Sequence, residues 1–325
     1  MIPIHGEQID RRDFAEKNVC LLSPVLKLRQ RLFNRWLAAK GRDFWKRHLL
    51  IPHTDFHGRV VQAVANGQPL SVGRLGGVEA SILMWADGRA NFRWPIWSLF
   101  SDTRSGATNA GIRPRNKESY HLFACLCREA MDALDLQGVW SSGYEAVCIG
   151  EGTQREFFNV EITGPDGANP NHWLSSLQGK RVLVVSPFDV TIQKQIPRLA
   201  EVWPKSTWMT GTDFCSVPFP YLIDEGCPET WWEVYNRIGA IISQGDYDVA
   251  LFGCGGLGLP FAHLAKKAGR VGIHLGGHLQ LVFGIYGKRH LEQQWHRKHI
   301  NEAWVRPEAE EVAKTASRVE GGCYW

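Results

Sequence analysis

Short continuous apolar runs, each closed by a charged residue or glycine, punctuate the second half of the chain. Lys180-Arg-Val-Leu-Val-Val-Ser186 and Asp248-Val-Ala-Leu-Phe-Gly253 read as strands covered on both faces, and Val271-Gly-Ile-His274 as another. Between and beside them, Thr191–Leu199 (despite Pro197), Trp231–Ser243 and Leu259–Ala268 carry helical spacing. Strand, helix and strand in that order predict parallel βαβ units, an α/β fold with a doubly wound, mostly parallel sheet. In the first half, Leu70–Gly73 predicts a strand and Val78 to about Ala86 a helix broken by Asp87-Gly88. Arg93–Trp97 predicts a rigid aromatic loop, Lys117–Leu134 a helix, Val139-Trp140 and Ala146–Ile149 short strands, and Thr163–Pro170 a loop.

Residues 26–48 form a basic amphipathic pattern, with Leu28, Leu32, Trp36 and Leu37 at helical spacing and Arg29, Arg31, Arg35 and Lys40 among them. Two readings compete: a helix lying on an anionic membrane surface, or a solvated helix packed on the main domain. Either way, residues 1–58 form an N-terminal arm and helical extension, and residues 59–325 the main domain.

Composition narrows the classes. With 325 residues, 44% hydrophobic and 22% charged, the chain has ordinary globular make-up. A net charge of +4 is too small to call for a nucleic-acid partner. No run approaches the roughly 18 apolar residues of a membrane span, and the first residues lack the layout of a secretory signal. The expected location is the cytoplasm, with peripheral contact at the inner face of the membrane through residues 26–48. The eight cysteines are scattered, Cys125 and Cys127 being two apart, so no Cys-x-x-Cys zinc pair exists.

The candidate chemistry gathers at strand ends. Pro69-Leu-Ser-Val-Gly-Arg-Leu-Gly-Gly-Val-Glu79 runs from a strand through a tight turn into a helix. Gly76 and Gly77 permit positive φ and close backbone approach, Arg74 can grip a phosphate, and Glu79 can hold a metal or a hydroxyl. Gly253-Cys-Gly-Gly-Leu-Gly258 matches G-x-G-x-x-G after a strand and before a helix. The next strand ends in His274-Leu-Gly-Gly-His278 without an acid for a ribose hydroxyl, which argues against NAD or flavin. His274 can neutralise phosphate, move a proton or serve as a core histidine; Asp189 can be a general base or a helix cap. His278 reads as structural, on the following helix. Lys288-Arg289 can hold phosphate or lie on a solvated surface. In a doubly wound sheet the ends at Arg74, Ser186-Pro187, Gly253-Cys254 and His274 meet in one crevice.

Several of these segments resemble one family. The Arg-x-Gly-x-x-Glu turn, Val184-Val-Ser-Pro-Phe188, Gly253-Cys-Gly255, Ile273–Arg289, Asn301–Pro307 and Val319–Trp325 are similar to bacterial GT-D-fold (GT-D-like) glycosyltransferases. The resemblance runs from about residue 65 to the C-terminus and implies a Rossmann-like transferase domain acting on nucleotide sugars in surface-polysaccharide or glycoprotein glycan assembly. On that reading the strand-end residues Arg74, Gly76, Gly77, Ser186, Pro187, Gly253, Cys254, Gly255, Gly276, Gly277, Lys288 and Arg289 are expected to bind substrate, with Glu79, Asp189 and His274 the catalytic candidates. The family pattern is Arg-x-Gly-Asp-Gly-Glu; here Gly77 replaces the Asp, leaving Glu79 as the one carboxylate of that motif for Mn²⁺ or Mg²⁺. The expected partners are a nucleotide-sugar donor, uridine-linked, and a glycan or lipid-linked acceptor. The alternative is a non-catalytic nucleotide-sugar or glycan-binding component of a polysaccharide assembly complex.

Overall fold

A computed structural model describes residues 19–90, 104–150, 155–167, 169–206, 208, 210–319 and 321–325. In chain order, α1 (Val19–Arg47) and α2 (His53–Asn66) precede β1 (Leu70–Arg74), α3 (Gly77–Ala90), α4 (Arg104–Thr108) and α5 (Lys117–Asp132). Next come β2 (Leu136–Val139), α6 (Gly143–Ile149), β3 (Glu156–Asn159), β4 (Arg181–Ser186), α7 (Asp189–Gln195), α8 (Leu199–Val202) and β5 (Asp213–Pro218). The chain continues through α9 (Trp231–Gln244), β6 (Val249–Phe252), α10 (Gly258–Lys267) and β7 (Val271–His274) to α11 (His278–Val282), α12 (Lys288–Glu292) and α13 (Gln294–Arg297).

The strands form one seven-stranded sheet in the order β3-β2-β1-β7-β6-β4-β5, every pair parallel. A parallel sheet needs apolar cover on both faces, and the alternation along its strands supplies it. Val182 and Val184 of β4 and Val249 and Leu251 of β6 enter one core, with Phe56 and Val60 of α2 and Leu279 and Val282 of α11. Leu183, Val185, Ala250 and Phe252 enter the other, beneath α3, α5, α9 and α10. Gly272 brings β7 against α10, since a Cβ there would meet the Ala262 carbonyl at 2.5 Å. The fold is Rossmann-like and doubly wound.

Three local expectations are corrected, and one strand was not foreseen. Ala146–Ile149 is not a strand but part of α6, because Ser142 and Glu145 form a reciprocal capping box; the strand of that region is β3. Pro197 divides the 191–199 segment: α7 stops at Gln195, a 3₁₀ turn spans Ile196–Arg198, and α8 follows. Asp87-Gly88 does not break α3, which continues to Ala90. The edge strand β5, ending at Pro218 and only half-covered, has no apolar run to betray it. The Arg93–Trp97 loop lies outside the described residues.

The basic helix packs on the main domain, as one of its two readings held. Its inward face is Phe33, Leu37 and Phe44 rather than Leu28 and Leu32, which are exposed. Gly41 lies against Gly143, where a Cβ would be 3.0 Å from the Gly143 Cα, and Trp45 donates its indole N–H to the Ser142 carbonyl at 3.0 Å. Among the described residues no helix is long and apolar enough to cross a membrane.

Two buried histidines tie α2 to the sheet's flank. His57 Nδ1 accepts the Trp173 N–H at 3.3 Å, and His172 Nδ1 accepts the Leu174 N–H at 3.3 Å while its Nε2 faces the Gly164 carbonyl at 3.0 Å. Both rings must be neutral to accept, and burial lowers their pKa values to about 4 and about 3. The unfolded chain therefore binds more protons than the folded one from about pH 6.5 down to about pH 3, and stability falls as pH falls through that range. At pH 5, His172 alone should cost on the order of 2 kcal/mol relative to pH 8. Urea denaturation of the wild type and of His172→Asn across that range should show a shallower acid slope in the variant.

Candidate active site

The carboxyl ends of the central strands open into a cavity of about 620 Å³, within the range of small-molecule sites. Thirteen of the fifteen residues singled out in the sequence line it: Arg74, Gly76, Gly77, Glu79, Ser186, Pro187, Gly253, Cys254, Gly255, His274, Gly276, Gly277 and Arg289. Asp189 and Lys288 do not. Asp189 lies in the first turn of α7 and accepts from Gln193 at 2.9 Å, and the cap of that helix is the Glu311 carboxylate, which takes the Val190 N–H at 2.7 Å. Lys288 is exposed, its backbone N–H bound to the Trp325 carbonyl at 3.2 Å.

Arg74 ends β1 and enters the cavity between two supports. On one side is Gly276, at φ +54°, where a Cβ would lie 2.8 Å from the Arg74 Cζ. On the other is the Trp140 ring, its centroid 5.2 Å from the guanidinium carbon. Only glycine tolerates both the backbone angle and the contact. Burial lowers the guanidinium pKa, while Tyr324, Glu161 and Glu79 act to raise it. Trp140 follows β2, and its N–H binds the buried Glu145 carboxylate at 3.0 Å, which also takes the Ser142 N–H at 2.8 Å.

Gly76 and Gly77 do not adopt positive φ; Gly255 and Gly276 do, at +55° and +54°. Gly76 serves close approach instead, since any Cβ there would strike the Glu79 carboxylate folded back over the first turn of α3. Of the G-x-G-x-x-G segment, Gly253 and Gly255 line the cavity, whereas Gly258 lets α10 pack on the His274 ring. Burial lowers the His274 pKa to about 3, with Arg74 adding to the effect. At pH 7 this favours the neutral imidazole, the form a buried core histidine takes. Burial raises the Cys254 thiol well above its ordinary value, which removes it as a nucleophile.

Several lining residues were not singled out. The C-terminal tail straps over α11 and α12: Arg289 N–H binds the Cys323 carbonyl at 3.1 Å, and Gln280 Nε2 the Tyr324 carbonyl at 2.9 Å. The Arg289 guanidinium stacks on Tyr324 at 4.6 Å. Trp325 donates to the Glu311 carbonyl at 2.9 Å and meets Phe188 and Tyr221 at ring distances of 6.4 and 6.0 Å, forming an aromatic wall. Opposite, Glu161, His278, His290 and His296 line the rim. His278, expected to be structural, begins α11 as placed but faces the cavity. Spacing could not have found this group, because Glu161 and His278 are 117 positions apart and only the sheet order joins them.

Comparison with protein families, curated proteins and solved structures finds no match to the chain. Fold and site together define a doubly wound parallel α/β protein with a cavity at its strand ends where arginines, carboxylates and an aromatic wall meet.

Gly276→Ala should cost about 1–3 kcal/mol in urea denaturation, through its backbone angle and the displaced guanidinium. Gly226→Ala, at an ordinary φ with open space around it, should stay within about 0.5 kcal/mol of wild type.

Proposed function

We propose that the chain is a glycosyltransferase, moving a sugar from a nucleotide diphosphate, uridine-linked, to a glycan or lipid-linked acceptor in surface-polysaccharide assembly. The observation that carries this reading is the convergence in one cavity of two guanidiniums, glycine-bare backbone and an aromatic wall. Arg74 and Arg289 suit the two phosphates, and Tyr221 and Trp325 suit the flat face of a base or sugar. The resemblance of the strand-end motifs to GT-D-like glycosyltransferases supports the same assignment.

In the proposed reaction the acceptor oxygen forms a bond to the anomeric carbon as the bond to the diphosphate oxygen breaks. Glu79 takes the acceptor proton, or orients the acceptor or sugar hydroxyl. The charge left on the diphosphate is held by Arg74, Arg289 and the backbone N–H groups near Gly253–Gly255. Asp189, outside the cavity, has no part in this step. At the Glu79 turn a divalent ion would have this single carboxylate and the diphosphate oxygens as ligands, the chemistry of Mg²⁺ or Mn²⁺. The exposed Leu28 and Leu32 beside Arg31 and Arg35 favour contact with a membrane carrying a lipid-linked acceptor.

A second reading, a binding component without catalysis, draws on Gly77 in place of a carboxylate and on the neutral His274. Melting curves with uridine, guanosine, cytidine and thymidine diphosphate sugars, each with Mn²⁺ and with chelator, should show a shift for one nucleotide class; no shift with any donor would remove the donor assignment. Glu79→Gln should lower turnover about 10²–10⁴-fold while leaving the melting temperature near wild type. Donor binding by the wild type with no transfer or hydrolysis would select the second reading.

A further inference from the structure

We propose that Glu161, His278 and His296 form a binding site for a divalent transition-metal ion at the rim of the cavity, distinct from the Glu79 turn. One ligand atom from each lies within 4.8 Å of the other two, and both histidines are more than nine-tenths buried. Three elements supply them: the 3₁₀ turn Val160–Thr163 after β3, the start of α11, and α13.

The hydrogen bonds around the cluster assign its lone pairs. The Thr163 hydroxyl donates to the Val160 carbonyl at 2.8 Å, so it must accept from His278 Nδ1 at 2.8 Å. That places the proton of neutral His278 on Nδ1 and leaves the Nε2 lone pair free, 3.6 Å from Glu161 Oε2. Those two atoms can be bridged by a metal ion or by the second proton of an imidazolium, and the buried, unpartnered Nδ1 of His296 beside them favours the metal. Thr163 is then the outer partner that orients a metal-bound imidazole. His296 adds its ring 5.9 Å from that of His278, and its Nδ1 is buried with no hydrogen-bond partner.

His290 sits close by, 5.4 Å from His296, but Nδ1 accepts the Gly287 N–H at 2.9 Å, so its neutral ring carries the proton on Nε2. It is a neighbour rather than a ligand. The three atoms, already within 4.8 Å of one another, reach the separations of about 3.3 Å that a tetrahedral ion with bonds near 2.0–2.1 Å requires through small rotations of all three side chains. Two imidazoles and one carboxylate select Zn²⁺, Co²⁺ or Fe²⁺ over Mg²⁺ or Ca²⁺, which prefer all-oxygen sites. All three residues line the cavity, so the remaining coordination position faces a bound ligand or water.

The test uses the full chain, freed of metal by chelator and titrated with Zn²⁺ by calorimetry and with Co²⁺ by visible absorption. The wild type should bind one ion with the intense visible bands of low-coordinate cobalt. Glu161→Gln and His296→Gln should each weaken binding at least tenfold and abolish those bands. Thr163→Val should weaken it about tenfold or more while the ligands stay in place. Metal-free melting curves establish that each variant is folded, and Glu161, exposed on the surface, is the variant least able to disturb folding. No ion bound by the wild type, or binding unchanged in both Glu161→Gln and His296→Gln, would overturn the site.

Discussion

An all-parallel sheet cannot leave a face to water, and that constraint organises this protein. β4 and β6 are apolar at every buried position but Ser186, at the cavity end of β4, because their alternate side chains feed two cores, one under α3, α5, α9 and α10 and the other under α2 and α11. With all strands running one way, their carboxyl ends share one edge, and the returns to the opposite edge are made by covering helices, except from β3 to β4, where 3₁₀ turns serve. The loops that carry Arg74, Ser186, Gly253 and His274 are thereby delivered to one place. The burial that holds the sheet together is therefore also what assembles the cavity.

Within the cavity the most constrained contact is that of Arg74 with Gly276. A guanidinium presses against backbone that only glycine can form, with an indole on its far side. Burying such a charge is costly without partners, and here Glu161, Glu79 and Tyr324 offset part of that cost. The same neighbourhood holds the Glu161–His278–His296 group, so the rim and floor of the cavity are electrostatically joined. The C-terminal strap adds Tyr324 and Trp325 through backbone hydrogen bonds, a wall built by the end of the chain against residues that precede it by up to about a hundred positions.

Legibility in the sequence followed the physical range of each signal. β4, β6 and β7 were readable because a buried parallel strand is a continuous apolar run. The site residues beside them were readable because ligands collect at strand ends in such sheets. Residues 146–149 misled because an apolar tetrapeptide is equally at home in a short helix, and the Ser142–Glu145 cap decided the matter. Asp189 misled because a carboxylate just after a strand can project into the crevice or turn away into a helix; it turns away, beside Gln193. His274 has the position expected of it, and of its alternative readings burial favours the neutral core histidine, since burial depends on what α10 packs against it.

The sequence by itself determined the strands β1, β4, β6 and β7, most of the helices beside them and the cavity edge on which Arg74, Glu79 and the glycine loops meet, because local periodicity and strand direction suffice for these. Only the tertiary structure decided which long-range partners complete the site: Trp140 over Arg74, the tail over Arg289, and Glu161 beside His278 and His296. Those contacts join segments far apart in the chain, and their geometry depends on strand order and on burial, neither of which leaves a local pattern in the residues themselves.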